Sequence, residues 1–352
     1  MRKSLQELGI HEQFFYYPRG KFNAITDVEG VKVGHSTVIK DEDIRTGVSV
    51  IIPPGLTDGR LIAGGFAFNA NGDVTGFQYI FEEGRLISPI FLTNTFSVGD
   101  VFSSVVDYYK GEVALPIIGE CWDGYLSDIE GRHVKYENVV EAIETASSGE
   151  VKQGNVGAGT GMTSFGFKSG IGTSSRKLTI AGKEFTIGVL VNNNIGNDHG
   201  SHRYLRIGGV ETAKLIGEYD PKQDEEQVGQ NHQHSSICVI ATDIPLTHYQ
   251  LNRIAKHTVL GMGRMGIVSG SGSGDFIISF STANKVPKRG TVETWTVEAI
   301  EETRLDLVFE ATIEAVEESY LNSLLLAEDM QGKEGHFMRA LPVGEILEKI
   351  KK

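Results

Sequence analysis

The chain has 352 residues, of which 40% are hydrophobic and 22% charged, so it can bury a large core in one domain. A formal net charge of -13 argues against a nucleic-acid partner, because nucleic-acid binding depends on clustered Lys and Arg. Two cysteines, Cys121 and Cys238, are too few for a disulfide framework and lack zinc-binding spacing. Without a signal-peptide pattern or a membrane-spanning segment, we expect a soluble, cytoplasmic protein.

Hydrophobic patterning predicts alternating strands and helices. β-Branched segments bounded by Gly, Asp and Pro predict strands at 25–38, 47–52, 89–94, 115–118, 185–191, 236–242 and 275–282. Helical spacing of apolar residues predicts helices at 98–109, 136–146 and 301–326. A further helix is expected to start at Thr247 as its cap and to stop at Gly261 and Gly263. This mixture indicates layered α/β structure.

Two serines begin an apolar strand in His234-Ser-Ser-Ile-Cys-Val-Ile-Ala-Thr-Asp243, directly after the acidic segment 217–233. That segment has little apolar area to bury and predicts a solvated loop open to cleavage. Cutting a chain before a hydroxyl residue leaves a nucleophile and an α-amine base on one residue. Ser236 is the favoured nucleophile and Ser235 the less favoured one; the alternative is an ordinary capping or exposed serine.

Glycines alternate with polar residues in Ser269-Gly-Ser-Gly-Ser-Gly-Asp275. Ser273 and Asp275 are two residues apart, so on a strand they face the same way and could relay a proton. A flexible turn or a phosphate-binding loop are the alternatives. Against the phosphate-binding interpretation, the segment lacks the lysine of a P-loop, and a strand pattern follows it.

Two other segments offer polar side chains for a site. Val191-Asn-Asn-Asn-Ile-Gly196 ends a predicted strand with amides that could donate to an oxyanion, although asparagines are commoner in turns. Gly119-Glu-Cys-Trp-Asp-Gly-Tyr-Leu-Ser-Asp128 mixes aromatic and acidic groups, as pocket rims do. His199 and His202 are only a weak metal signal because Gly200 lies between them, and we expect neither a metal nor a cofactor.

Taken in order, these motifs resemble the self-processing serine aminopeptidases, which include L-aminopeptidase/D-amidase/esterase and β-peptidyl aminopeptidase. The resemblance covers nearly the whole chain, from the segment beginning at Ile25 to Asp275. It implies an αββα four-layer sandwich similar to N-terminal-nucleophile hydrolases but with its own connectivity. It also implies a homo-oligomer, usually a tetramer of processed protomers.

The resemblance also assigns residues. The family nucleophile matches Ser236, which implies a cut between Ser235 and Ser236 into fragments 1–235 and 236–352. The family's second serine, acidic residue and oxyanion-stabilising asparagine match Ser273, Asp275 and Asn194. Where the family has a loop tyrosine, this chain has Trp122, with Tyr125 three residues on. Glu120 in the same loop is a candidate for binding the substrate amine.

The predicted activity is hydrolysis of amino-terminal amide, ester or short peptide bonds through an acyl-enzyme on Ser236. The substrates would be small peptides or amino-acid amides. A self-processing acyltransferase related to the ornithine acetyltransferases is one alternative. A non-enzymatic, glycine-rich nucleotide-binding protein is the other.

Overall fold

The computed structural model describes residues 2–56, 59–113, 115–195, 204–212, 234–344 and 346. The acidic segment 217–233 and the two histidines of the weak metal signal lie outside these ranges. The helices within them are α1 (Phe77–Glu83), α2 (Val98–Tyr108), α3 (Tyr136–Glu144), α4 (His248–Arg264) and α5 (Leu305–Leu325). None of the helices in the described part of the chain has the length and apolarity of a membrane span.

The strands within the described ranges are β1 (Lys32–Lys40), β2 (Ile44–Ile52), β3 (Arg60–Ala70), β4 (Arg85–Leu86), β5 (Ile90–Asn94), β6 (Ile117–Cys121), β7 (Thr163–Ser164), β8 (Phe167–Lys168), β9 (Ile171–Ile180), β10 (Lys183–Asn194), β11 (Arg206–Ile207), β12 (Val210–Glu211), β13 (His234–Thr242), β14 (Ser273–Val286), β15 (Met330–Gln331) and β16 (Phe337–Met338). Two larger sheets contain most of them. One has four strands in the order β1-β2-β5-β6, and the other has six in the order β4-β3-β14-β13-β10-β9. The β5–β6 and β13–β14 pairs are parallel.

Three apolar clusters separate four layers. One cluster fills the space between α2, α3 and the four-stranded sheet and contains Val50, Val105 and Val139. A second lies between the two sheets and contains Leu92 and Ile237. The third packs α4 and α5 against the six-stranded sheet. The layers therefore run helix, sheet, sheet, helix, which confirms the predicted αββα sandwich.

Several helices and strands begin or end at residues other than those predicted. The first strand starts at Lys32, not at Ile25, because Ile25–Asp27 forms a 3-10 turn. Thr247 caps α4 as predicted, accepting a hydrogen bond from the amide of Gln250. The helix does not stop at Gly261 and Gly263 but continues to Arg264, so that expectation was wrong. β3 and β9 had not been predicted.

Gly261 lies inside α4, at the point where α5 packs against it. A Cβ atom there would lie 2.7 Å from the carbonyl oxygen of Ile313 and 2.9 Å from the Cβ atom of Val316. Gly263, two residues later, is exposed, and a Cβ atom there would meet no other atom of the described residues within 4 Å. The absence of a side chain at Gly261 thus sets the distance between α4 and α5.

These two glycines give a matched test of helix packing. Gly261→Ala should lower the free energy of unfolding by about 1–3 kcal/mol, because α4 and α5 must move apart. Gly263→Ala should raise it by about 1 kcal/mol, the ordinary gain in helix propensity. Urea unfolding measures both, and equal effects of the two substitutions would contradict the close approach.

Candidate active site

The alternation of side chains along β13 sends its two serines to opposite faces. Ile237 and Val239 belong to the core between the two sheets, whereas Cys238 and Ile240 belong to the core beneath α4 and α5. Side chains two residues apart share a face of a strand. Ser235 therefore points between the sheets, and Ser236 points towards the helices.

Two N–H donors converge on the Ser235 hydroxyl oxygen. The backbone nitrogen of Trp122 lies 3.1 Å from Ser235 Oγ, and Asn194 Nδ2 lies 3.2 Å from it. Asn194 is directly opposite Ser235 in the β10–β13 register, and its side chain also donates to the Trp122 carbonyl oxygen at 2.8 Å. The Asn194 oxygen accepts from the amide of Thr163 at 3.1 Å. Donors held in this way, next to an attacking oxygen, can stabilise the negative charge that develops on the carbonyl oxygen under attack.

Ser236 is not part of that arrangement. Its hydroxyl forms a hydrogen bond with the phenol of Tyr320 on α5, and both side chains are buried. Asn194 was expected beside Ser236, but it contacts Ser235. The cause is the period of two along the strand, which places the side chains of adjacent residues on opposite faces.

Ser273 and Asp275 form a hydrogen-bonded pair, as their spacing predicted. Ser273 Oγ donates to Asp275 Oδ2 at 2.6 Å. In the parallel register of β13 and β14, Ser273 lies opposite His234 and Gly274 lies opposite Ser235. The pair is therefore one strand away from the peptide bond that joins His234 to Ser235. Burial raises the pKa of Asp275 more than the neighbouring hydroxyls and His234 lower it.

Glu120 supplies a buried carboxylate at the end of β6. Its Oε1 accepts from the amide of Asp73 at 3.2 Å, and its Oε2 accepts from the hydroxyl of Thr95. Gly72 leaves space for it, because a Cβ atom there would meet Glu120 Oε1 at 2.5 Å and the Cα atom of Gly274 at 3.5 Å. Gly72 thus links the surroundings of Glu120 to the strand beside Ser235. Burial raises the pKa of Glu120 against the effect of its two hydrogen bonds.

The two aromatic candidates of the loop after β6 differ from the expectation. Trp122 contributes through its backbone amide and carbonyl groups, not through the indole. The Tyr125 ring stacks on His336, with ring centroids 4.6 Å apart, and packs against Met330 and Met338 of the carboxyl-terminal hairpin. The structure therefore does not bring the Tyr125 side chain to Ser235.

Cys121 and the acidic residues do not provide a competing thiolate or metal centre in the described ranges. Cys121 is fully buried, and burial raises the pKa of its thiol well above the ordinary value, so the thiol is neutral. Within the same ranges, no three His, Cys, Asp or Glu side chains come together to hold a metal ion. The polar chemistry next to β13 therefore centres on hydroxyl, amide and carboxyl groups.

Comparison with known proteins identifies what this arrangement resembles. The sequence pattern of peptidase family S58 matches residues 23–338. Beta-peptidyl aminopeptidase BapA of Sphingosinicella microcystinivorans is 39% identical over 355 residues, covering 95% of this chain and 89% of that protein. The structure of a Burkholderia sp. beta-aminopeptidase has a TM-score of 0.88 at 34% identity, covering 100% of this chain and 98% of that chain.

A third relative confirms the expected fold. The L-aminopeptidase D-Ala-esterase/amidase of Ochrobactrum anthropi has a TM-score of 0.86 at 35% identity, with 96% of each chain covered. It is described as a prototype for the serine aminopeptidases and as a new variant of the Ntn hydrolase fold. These likenesses favour the hydrolase interpretation over the acyltransferase and nucleotide-binding alternatives.

Asp123, next to Trp122, gives a pH test of the loop that carries the amide donor. Burial raises the pKa of Asp123 to about 7, against the opposing effect of neighbouring polar groups. An unfolded aspartate has a pKa of about 3.9, so the folded state holds this proton more tightly. Raising the pH from 5 to 8 should therefore lower the free energy of unfolding by an amount on the order of 2 kcal/mol.

The side chain introduced by Asp123→Asn does not ionise, so the variant should lack this part of the pH dependence of the free energy of unfolding. Urea unfolding of the wild type and the variant at pH 5 and pH 8 measures the difference. Identical pH dependence in the two proteins would contradict a raised pKa at Asp123.

Proposed function

The chain belongs to peptidase family S58, and from this premise we propose that it is a self-processing aminopeptidase and amidase with Ser235 as its nucleophile. That it is a hydrolase of the aminopeptidase class follows from the family and from its named relatives. The observation that carries the assignment of Ser235 is the pair of N–H donors on its hydroxyl oxygen. The proposed cut accordingly moves one residue, to the bond between His234 and Ser235.

In the proposed processing step, Ser235 Oγ attacks the carbonyl carbon of His234. A C–O bond forms, the C–N bond to Ser235 breaks, and the hydroxyl proton passes to the departing nitrogen. The product is an ester between the His234 carbonyl and the Ser235 side chain, with a free amine on Ser235. Water then hydrolyses the ester, which leaves a carboxylate on His234 and restores the serine hydroxyl.

In the processed enzyme, the same hydroxyl attacks the substrate carbonyl. The Ser235 α-amine takes the hydroxyl proton and gives it to the leaving amine, since its ordinary pKa of about 8 suits proton transfer near neutral pH. The hydrogen-bonded pair of Ser273 and Asp275 lies on the neighbouring strand, opposite the residues on either side of Ser235. Asn194 and the Trp122 amide stabilise the oxyanion, and water releases the acyl group.

The proposed substrates are short peptides, amino-acid amides and esters with a free amine. This proposal is supported by the names of the relatives, which include beta-peptidyl aminopeptidase and L-aminopeptidase D-Ala-esterase/amidase. It is also supported by Glu120, a buried carboxylate whose ionised form would pair with an ammonium group. The Glu120 carboxylate is held by Thr95 and by the Asp73 amide, so it has a defined position.

We propose further that the processed protomers form a cytoplasmic homotetramer. An exposed apolar groove between β3 and α4 supports association, since it is lined by Phe68, Phe81, Tyr249 and Leu260. Light scattering after gel filtration measures the assembly directly. The cytoplasmic location stays a prediction from the sequence.

The two neighbouring serines allow a direct comparison. Ser235→Ala should abolish both self-cleavage and hydrolysis of an amino-acid p-nitroanilide, because the attacking oxygen is gone. Ser236→Ala should still be cut into two fragments and should still hydrolyse the substrate, at a reduced rate. A denaturing gel and a p-nitroaniline assay measure both properties. Ser235→Ala that is cut normally, or Ser236→Ala that is not cut at all in a folded protein, would contradict the assignment.

Glu120→Gln tests the recognition of the substrate amine. The loss of charge should raise KM about 10- to 100-fold for a substrate with a free amine, since a buried ion pair is replaced by a neutral contact. Hydrolysis of an ester that lacks the amine should change little. Glu130→Gln, an exposed glutamate of the same loop, is the matched control. Equal effects on the two kinds of substrate would argue against this role.

A further inference from the structure

We infer that Tyr320 of α5 is a positioning residue that acts through Ser236 to hold the nucleophile-bearing end of β13. The inference rests on the proposed function, because it takes Ser235 as the nucleophile and as the new amino terminus. The phenol of Tyr320 bonds the hydroxyl of Ser236, the residue that follows Ser235 along the strand.

The contact between α5 and β13 includes a buried polar pair at this point. Tyr320 and Ser236 are both fully buried, and their hydroxyls bond each other. One turn further along α5, Ser323 Oγ accepts from Asn193 Nδ2 at 2.9 Å and donates to the carbonyl of Tyr320 at 2.6 Å. Asn193 and Ser236 are opposite each other in the β10–β13 register. One helix therefore holds neighbouring residues on both strands that carry Ser235 and Asn194.

Self-cleavage makes the contact between Tyr320 and Ser236 important. After the bond between His234 and Ser235 breaks, Ser235 is the terminal residue of a strand, and terminal residues fray unless they are tied down. Ser236 is the first residue of the new fragment whose side chain is anchored in the helix layer. Attack on a carbonyl requires the reacting atoms to be within a few ångströms and aligned, so small displacements of Ser235 lower the rate.

The raised pKa of Tyr320 favours a role in positioning Ser236 over a role in proton transfer. Burial raises the pKa of Tyr320 well above its ordinary value, with further increases from Cys238 and Asp275. The phenol is therefore protonated at neutral pH. Its removal should change how well Ser235 is placed and should leave the pH profile of the reaction unchanged.

The test compares Tyr320→Phe with Tyr17→Phe. Tyr17 also bonds α5, through Glu310 Oε2 at 2.8 Å, but this hydrogen bond is exposed to solvent and does not involve β13. Tyr320→Phe should lower kcat for the p-nitroanilide and the rate of self-cleavage roughly 10- to 100-fold, with KM and the pH profile unchanged. Tyr17→Phe should keep the wild-type kcat. The same measurements on Ser236→Ala should show a loss of kcat similar to that of Tyr320→Phe.

The double variant decides whether Tyr320 acts through Ser236. In the Ser236→Ala background, Tyr320→Phe should cause no additional loss of kcat. A wild-type kcat in folded Tyr320→Phe, or a full independent loss in the double variant, would overturn the inference. If Tyr320→Phe does not fold, a wild-type kcat in folded Ser236→Ala would overturn it instead. Failure of the proposed function is distinct, since it shows as self-cleavage or hydrolysis by Ser235→Ala.

Discussion

The alternation of side chains along β13 is the constraint on which the site depends. Because successive residues of a strand face opposite sides, Ser235 and Ser236 enter different layers of the sandwich. The layer between the sheets supplies the Trp122 amide and Asn194, whereas the helix layer supplies Tyr320. The two sheets pack closely at this point because Gly119 of β6 has no side chain. A Cβ atom at Gly119 would lie 3.0 Å from the side chain of Ile237. Backbone geometry thus decides which hydroxyl meets the two N–H donors.

Burial also sets the chemistry around Ser235, the proposed nucleophile. Glu120 and Asp275 both have raised pKa values, chiefly because they are removed from water. Such groups interact strongly with a charge that a substrate or a new amino terminus brings into the site. The hydroxyl, amide and carboxyl groups next to β13 are each held by at least one partner in neighbouring strands or loops. A site built in this way loses little energy in reorganising during the reaction.

The sequence predicted the layered fold and the segments that form the site, because strand patterns and ordered motifs are local properties. It predicted the Ser273–Asp275 pair for the same reason, since a spacing of two places both on one face. The choice between Ser235 and Ser236 depended on a one-residue alignment, and neither local composition nor strand period says which face meets Asn194. Tyr320 could not be predicted from the sequence, because it is 84 residues from Ser236. Most residues of its helix are buried, so burial does not distinguish Tyr320 from its neighbours. The amide role of Trp122 depends on loop backbone geometry, which side-chain chemistry does not reveal.

The identity of the first residue of the smaller fragment tests the central claim most directly. Amino-terminal sequencing and intact mass measurement of that fragment, from a preparation that hydrolyses substrate, should show that it begins Ser-Ser-Ile-Cys. That result would place the cut between His234 and Ser235, with the reactive hydroxyl on the face between the sheets. A fragment that begins Ser-Ile-Cys-Val, or an active protein that is never cut, would contradict the account.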